Sequence, residues 1–133
     1  MNPPSVGYLR SPAIRGEQVV FVCEDTVWAV PASGGRARRL DTGGVAVDEP
    51  VLSPDGRLVA FAGRAGGAPD VYVMPLVGGT ARRLTYQGGW LTVLGFDPAG
   101  EHVLYATDAQ RPLERQRWLC RVSPDGGLRY RRG

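Results

Sequence analysis

Lysine is absent from this sequence, because all 16 basic residues are arginines. This excludes a lysine nucleophile, a lysine Schiff base and a Walker phosphate loop, whose motif requires lysine. Histidine occurs once, at His102, and no Gly-x-Ser-x-Gly nucleophile elbow is present. A catalytic triad or a metal site needs partners that this chain does not supply, so we expect no catalytic residue, no cofactor and no metal.

Cysteine and long hydrophobic runs are also scarce. Cys23 and Cys120 lie far apart and in no metal-ligand spacing, so they are expected to be small buried apolar side chains, not a disulfide scaffold. No stretch approaches the roughly 20 apolar residues of a membrane span. Residues 1–8 carry no charged leader followed by an apolar core. We therefore expect a cytoplasmic protein without membrane partners.

Charge is unevenly distributed along the chain. Residues 1–110 hold 9 arginines against 11 acidic residues, whereas residues 111–133 hold 7 arginines against 2. Arg129, Arg131 and Arg132 around Tyr130 have the composition of a nucleic-acid contact, in which arginine neutralises phosphate and the aromatic ring stacks on bases. A truncated β-strand explains these residues equally well. Because the rest of the chain is net acidic, nucleic acid is not expected as a partner.

Glycine and proline, by contrast, are abundant, with 19 and 11 residues spread along the chain. Such frequent turn residues between short apolar runs predict an all-β protein. Three glycines, Gly16, Gly56 and Gly100, follow proline-containing segments at separations of 40 and 44 residues. This spacing is typical of a four-stranded β-propeller blade.

The segments around these glycines repeat in register. Five residues after each glycine an aromatic residue lies within an apolar run, at Phe21, Phe61 and Tyr105, and the runs predict strands buried on both faces. A second strand and a glycine-led outer strand follow in each unit. The second strands are predicted at 27–30, 71–74 and 118–122, and the outer segments at 34–40 and 78–84, with a third outer strand beginning at 128–130.

The turns before the glycines have a recognisable chemistry. Ser53-Pro54-Asp55-Gly56 places proline where its fixed φ suits the second turn position and glycine where a positive φ is cheap. Asp97-Pro98-Ala99-Gly100 is a variant, and segment 11–16 is interpreted as a degenerate first copy. We predict one domain, 1–133, a partial β-propeller of about three four-stranded blades at 8–48, 49–92 and 93–133, with the last blade incomplete.

Several polar groups are weighed as sites and interpreted as structural. The acidic pairs Glu24-Asp25 and Asp48-Glu49 are expected in solvated turns, since a glycosidase needs two acids held across a cleft. His102 is expected to be a solvent-facing strand residue. The arginine pairs 38–39 and 82–83 could bind peptide carboxylates but are expected to decorate and protect exposed strands. Trp28, Trp90 and Trp118 are expected to pack blades or cover loops.

The chain resembles the N-terminal propeller of the tricorn-type serine peptidases, which carry WD40-like (PD40) repeats. The resemblance spans nearly the whole sequence and is most specific near its start. It is carried by segments 8–12, 16–28, 34–40, 71–75, 83–86 and 107–109. It implies a multi-domain, hexameric cytoplasmic peptidase whose catalytic residues lie in C-terminal regions outside this chain, so none is transferred here.

For this chain, the resemblance implies a non-catalytic fragment that serves substrate access, gating or assembly, with the remaining domains or subunits and peptides as partners. Two alternatives remain open. One is a stand-alone interaction scaffold, in which two copies self-associate to complete a six-bladed ring. The other is a translocation-type, TolB-like propeller, which the absence of a secretory signal in residues 1–8 argues against.

Overall fold

A computed structural model describes residues 9–86, 88–108 and 118–125, together with the backbone of residues 129–132. Within these ranges the chain forms β-strands and no helix, as the turn-rich composition predicts. The strands are β1 (Arg10–Arg15), β2 (Gln18–Cys23), β3 (Thr26–Pro31), β4 (Arg38–Arg39), β5 (Ala46–Leu52), β6 (Leu58–Arg64), β7 (Asp70–Pro75), β8 (Arg82–Arg83), β9 (Leu91–Phe96), β10 (Val103–Thr107), β11 (Trp118–Val122) and β12 (Arg129–Arg132).

The strands of the described residues form three antiparallel four-stranded sheets, each built from strands consecutive in the sequence. The first sheet is β1-β2-β3-β4, the second β5-β6-β7-β8 and the third β9-β10-β11-β12. This confirms the predicted partial propeller. The third sheet does reach a fourth strand, β12, and the boundary expected after residue 48 falls inside β5.

The three sheets stack face to face. The first strands of the sheets lie side by side, with β1 contacting β5 and β5 contacting β9, and we call β1, β5 and β9 the inner strands. One apolar cluster fills the space between the first two sheets and includes Val20, Val27 and Phe61. A second cluster between the second and third sheets includes Val71, Tyr105 and Val122. The middle sheet is therefore buried on both faces.

Strand periodicity explains this layering. Successive side chains of a strand point to opposite faces, so in β6 Val59 and Phe61 join the first cluster, while Ala60 and Ala62 join the second. A fully buried aromatic side chain such as Phe61 contributes roughly 2–3 kcal/mol through removal of apolar area from water. The continuous apolar run of β6 is thus explained by its burial on both faces.

The turn chemistry is confirmed in two of three copies. The Gly56 amide donates to the Ser53 carbonyl at 2.9 Å, and the Gly100 amide donates to that of Asp97 at 2.9 Å. Both glycines have a positive φ, 73° and 74°. The interpretation of Ser11 as part of a degenerate turn is wrong, since Ser11 lies in β1.

Ser11 instead belongs to a bulge in β1, where the register shifts between Arg10 and Ala13. A matching shift occurs in β5 between Asp48 and Val51. The residue before proline has a left-handed φ in both bulges, 53° at Ser11 and 54° at Glu49. A Ser-Pro dipeptide suits this bulge as well as a turn, and only strand pairing distinguishes the two.

Candidate functional site

The polar side chains best placed to meet a ligand lie at one end of the inner strands. We define the charged end by Arg10, Asp25, Asp48 and Arg64. Arg10 begins β1, Asp48 lies in the first half of β5, and Asp25 lies in the loop between β2 and β3. The amide of Val47 donates to the Asp25 carbonyl at 2.9 Å, which fixes this loop against the second sheet.

Asp48 is the centre of the charged end. Its Oδ2 atom accepts a hydrogen bond from Arg64 Nη1 at 2.6 Å, and its Oδ1 atom accepts one from Arg10 Nη1. Arg10 Nη2 also lies 3.2 Å from Asp25 Oδ1. Burial opposes ionisation of Asp48, but the hydrogen bonds from the two guanidinium groups outweigh it and lower the pKa of this carboxyl. Asp48 is therefore held ionised between two arginines.

Glu49 ties the second sheet to the third. Its Oε2 atom accepts a hydrogen bond from Thr92 Oγ1 at 2.6 Å, and its Oε1 atom accepts one from the Val93 amide at 3.2 Å. The predicted turn location of Asp48 and Glu49 is thus wrong, because the bulge in β5 directs both acids toward neighbouring sheets. Glu24 and Asp25 do lie in a turn, with φ values of 52° and 63°.

A second ion pair lies further along the same end of the middle sheet. Asp70, which is only 1% exposed, accepts hydrogen bonds from Thr85 Oγ1 at 2.7 Å and Arg83 Nη2 at 2.6 Å. The Arg83 guanidinium lies 4.1 Å from the centre of the Tyr86 ring, within cation–π range. An open cavity of 240 Å³ beside this pair is lined by the small-residue loop at 65–68, Asp70, Tyr72, Arg83 and Gly88.

The arginine pairs 38–39 and 82–83 form β4 and β8, exposed two-residue strands at the outer edge of their sheets. The exposed position matches the expectation. Their contacts were not predictable from sequence, because Arg38 and Arg82 donate to backbone carbonyls of the next sheet, whereas Arg83 pairs with Asp70. The side chains at 129–132 lie outside the described residues.

His102 differs in detail from the expected solvent-facing strand residue. It precedes β10, its side chain is 20% exposed, and its Nδ1 atom lies 2.9 Å from Asp97 Oδ2. Burial opposes ionisation of Asp97, but hydrogen bonds from the His102 ring and from the amides of His102 and Glu101 lower the pKa of this carboxyl. This pair closes the turn between β9 and β10.

The aromatic and sulfur side chains follow the structural interpretation. Trp28 is buried against Phe21, and Trp118 packs beside the second apolar cluster, while Trp90 lies in a loop and is 40% exposed. Cys23 and Cys120 are buried free thiols.

The described part of the chain holds no group of three or more His, Cys, Asp or Glu residues arranged to bind a metal ion. Within the same residues, no helix has the length and apolar character needed to cross a membrane. The charged end brings the guanidinium groups of Arg10 and Arg64 together with the carboxylates of Asp25 and Asp48, which pair with one another.

Sequence comparison identifies relatives of this chain. The family described as "Tricorn protease N-terminal beta propeller domain" matches residues 6–132. Tricorn protease homolog 1 of Streptomyces coelicolor is 42% identical over 95% of this chain and 12% of its own length. Tricorn protease of Thermoplasma acidophilum is 31% identical over 89% of this chain, again covering 12% of the relative.

Solved structures agree with these relatives. The crystal structure of the tricorn protease has a TM-score of 0.77 and 30% identity, and the match covers 90% of this chain and 12% of that one. TolB from Acinetobacter baumannii, with a TM-score of 0.73 and 22% identity over 92% of this chain and 31% of its own, shares the fold. The chain therefore belongs to the tricorn protease N-terminal β-propeller family, and it spans about an eighth of the first relatives it matches.

Proposed function

We propose that this chain is a non-catalytic propeller segment of a tricorn-type serine peptidase that serves peptide access or assembly in the intact enzyme. The observation that carries the proposal is that the inner strands β1, β5 and β9 lie side by side. Arg10, Asp48 and Arg64 form ion pairs at one end of these strands. In a closed propeller the inner strands surround a central channel. The charged end would then form part of the channel rim and contact charged groups of passing peptides.

The partners under this proposal are the remaining domains or subunits of the peptidase, because the matched relatives are far longer than this chain. We place the protein in the cytoplasm, where the buried free thiols Cys23 and Cys120 would remain reduced. Catalysis is assigned to residues outside this chain, since the charged end presents no nucleophile next to a general base.

A stand-alone interaction scaffold is the second candidate. It is favoured by one relative, described as a putative tricorn-like protease N-terminal subunit of Sulfurisphaera tokodaii. That relative is 33% identical over 91% of this chain and 63% of its own length. A separately encoded propeller subunit would bind its peptidase partner as a second polypeptide. In the first candidate the propeller is covalently joined to the peptidase, and in the second it is not, but both candidates use the same binding surface.

A chimaera tests the proposed function. Residues 6–132 would replace the matching segment of Tricorn protease homolog 1 from Streptomyces coelicolor. We expect the chimaera to hydrolyse peptides, while the isolated chain hydrolyses none and is not labelled by a fluorophosphonate probe. A homolog from which the segment is deleted provides the control. Labelling of the isolated chain, or a chimaera no more active than the deletion, would overturn the proposal.

A further inference from the structure

The open cavity beside Asp70 and Arg83 is walled by hydrogen-bond donors. It has a volume of 240 Å³ and lies within the middle sheet, next to the loop at 65–68. Three elements meet around it, because this loop joins β6 to β7, Tyr72 lies in β7 and Arg83 lies in β8. We call it the loop cavity.

Arg83 is fixed in place but keeps most of its donors for other partners. Its Nη2 atom donates to Asp70 Oδ2 at 2.6 Å, and its Nε atom donates to the Thr85 carbonyl at 3.0 Å. Its Cζ atom lies 4.1 Å from the centre of the Tyr86 ring, which covers one face of the guanidinium. A guanidinium has five N–H groups, and the other three donate to no described residue. Arg83 therefore presents an oriented positive group to the cavity.

Asp70 does not provide a site for a cation. Its Oδ1 atom accepts a hydrogen bond from Thr85 Oγ1 at 2.7 Å, its Oδ2 atom accepts the one from Arg83, and the residue is only 1% exposed. No other acidic residue of the described chain lines the loop cavity. A bound cation would therefore meet the Arg83 guanidinium without a carboxylate to balance it.

Tyr72 supplies a second donor to the loop cavity. The residue is 6% exposed, and its ring stacks on Phe61. Its side chain lines the cavity, and its hydroxyl group makes no hydrogen bond with any described residue. A buried tyrosine hydroxyl usually has a hydrogen-bond partner. An unpartnered one at a cavity wall indicates that a ligand supplies the acceptor.

The loop at 65–68 adds backbone donors. Its sequence is Ala-Gly-Gly-Ala, so no large side chain covers its amides. Gly66 has a φ of 95°, and a Cβ atom at Gly66 or Gly67 would meet nothing within 4 Å. Within the described ranges, the four amides of this loop donate to no acceptor. Successive amides left unpaired in a loop form a concavity suited to anions.

We infer that the loop cavity binds a phosphate group, which accepts hydrogen bonds from Arg83, from the Tyr72 hydroxyl and from the amides of 65–68. Arginine pairs well with both carboxylate and phosphate. A carboxylate accepts hydrogen bonds in one plane, whereas the oxygens of a phosphate point in several directions. Donors that come from a loop and two strands therefore favour the tetrahedral anion. The site is independent of peptide hydrolysis.

Titration of inorganic phosphate into the ¹⁵N-labelled full chain at constant ionic strength tests this site. We expect saturable shifts of the Gly66 and Gly67 amide resonances and of the Arg83 Nε–H resonance. Acetate, a planar anion, should bind about tenfold more weakly, because it leaves at least one donor without an acceptor. O-phosphoserine identifies the source of the phosphate. Equal affinity would assign the cavity to a phosphomonoester, and affinity for inorganic phosphate alone would assign it to the free ion; both results support the site.

Tyr72→Phe removes the hydroxyl and keeps the ring that stacks on Phe61. We expect its dissociation constant for phosphate to rise about tenfold, the loss of one hydrogen bond to a charged acceptor. Tyr105→Phe is the matched control, since Tyr105 is 1% exposed, packs between the second and third sheets and does not line the cavity. It should bind phosphate as the unmodified chain does. Circular dichroism checks that both variants fold.

Gly67→Asp and Gly67→Asn provide a second comparison that leaves Tyr72 intact. The two side chains are similar in size, and Gly67 has room for a Cβ atom. The added carboxylate should weaken phosphate binding about tenfold relative to the amide, because like charges repel. Shifts that do not saturate, shifts spread over arginines far from the cavity, or acetate binding as tight as phosphate would overturn the site. Equal affinity of Tyr72→Phe and the unmodified chain would overturn it as well.

Discussion

The rings of Phe61 and Tyr72 stack across neighbouring strands of the middle sheet, with centroids 5.7 Å apart and planes inclined by 5°. Phe61 is 0% exposed and lies between the first two sheets. Aromatic pairs of this kind add stabilisation beyond the area they bury. The packing of the first sheet against the second therefore depends on this aromatic pair.

Phe61→Ala should lower the free energy of unfolding by about 3–5 kcal/mol, because it leaves a cavity and removes the stacked ring. Urea denaturation followed by tryptophan fluorescence measures the change. Val77→Ala, at a position 87% exposed, serves as the control and should stay within about 0.5 kcal/mol. Equal effects of the two substitutions would show that the sheets do not pack through Phe61.

Gly63→Ala should destabilise the chain through steric overlap. A Cβ atom at this position would lie 2.6 Å from Tyr72 Cδ1 and 2.6 Å from Val45 Cγ1. Overpacking of this kind costs about 1–3 kcal/mol. Gly67→Ala is the matched control, since a Cβ atom there meets nothing within 4 Å. Thermal unfolding of the two variants should separate them, and equal melting temperatures would contradict the packing at Gly63.

Asp70→Asn should cost about 1–3 kcal/mol in the free energy of unfolding, because the buried carboxylate accepts hydrogen bonds from Arg83 and Thr85. The amide keeps the size of the side chain but loses its charge and one acceptor oxygen. Asp125→Asn, at an exposed position, is the control. Urea midpoints of both variants measure the difference, and a neutral Asp70→Asn would show that the ion pair is not formed.

Stability should fall in acid partly through Asp48. The pKa of this carboxyl is lower in the folded chain than its ordinary value of 3.8, so the unfolded chain binds protons first as the pH falls. The stabilising contribution of the ionised Asp48 carboxylate is complete above pH 3.8 and is lost as the pH falls through the folded-state pKa. Urea midpoints at neutral pH and in acid should therefore differ less for Asp48→Asn than for the unmodified chain.

The pKa values of Asp55 and Asp97 are lowered as well, so some acid sensitivity should persist in Asp48→Asn. Hydrogen bonds from Ser53 Oγ and from the Arg57 amide lower the pKa of the Asp55 carboxyl. An acid-induced loss of stability identical in the variant and the unmodified chain would contradict the role assigned to Asp48.

The sequence predicted the parts of the fold that repeat. Gly56 and Gly100 mark turns whose backbone needs a positive φ. The strand after Gly56 is buried on both faces as predicted, whereas the strand after Gly100 is buried mainly on the face that packs on the middle sheet. Ser11 was misplaced because a serine before proline fits a turn and a bulge equally well. The pairing of β1 with β2, which is a tertiary property, decides between them.

The charged end was only partly predictable. Asp48 was singled out, but Arg10 and Arg64 were not, because they lie 38 residues before and 16 residues after it. Only the stacking of sheets brings these three side chains together. Arg38 and Arg82 were visible as a repeat, but their acceptors are backbone carbonyls, which leave no residue-type signal in the sequence.

The ratio of kcat/KM for a long acidic peptide to that for a short neutral peptide, measured in the chimaeric peptidase, tests the central claim most directly. Asp48→Asn removes the carboxylate charge that pairs with the Arg10 and Arg64 guanidinium groups, so Arg64 is available to bind passing carboxylates, while Arg10 keeps its contact with Asp25. The account predicts that this ratio changes by about tenfold, the equivalent of about 1.4 kcal/mol, while the short peptide is hydrolysed as before. Both rates falling in proportion, or neither changing, would contradict a role of this propeller segment in peptide access.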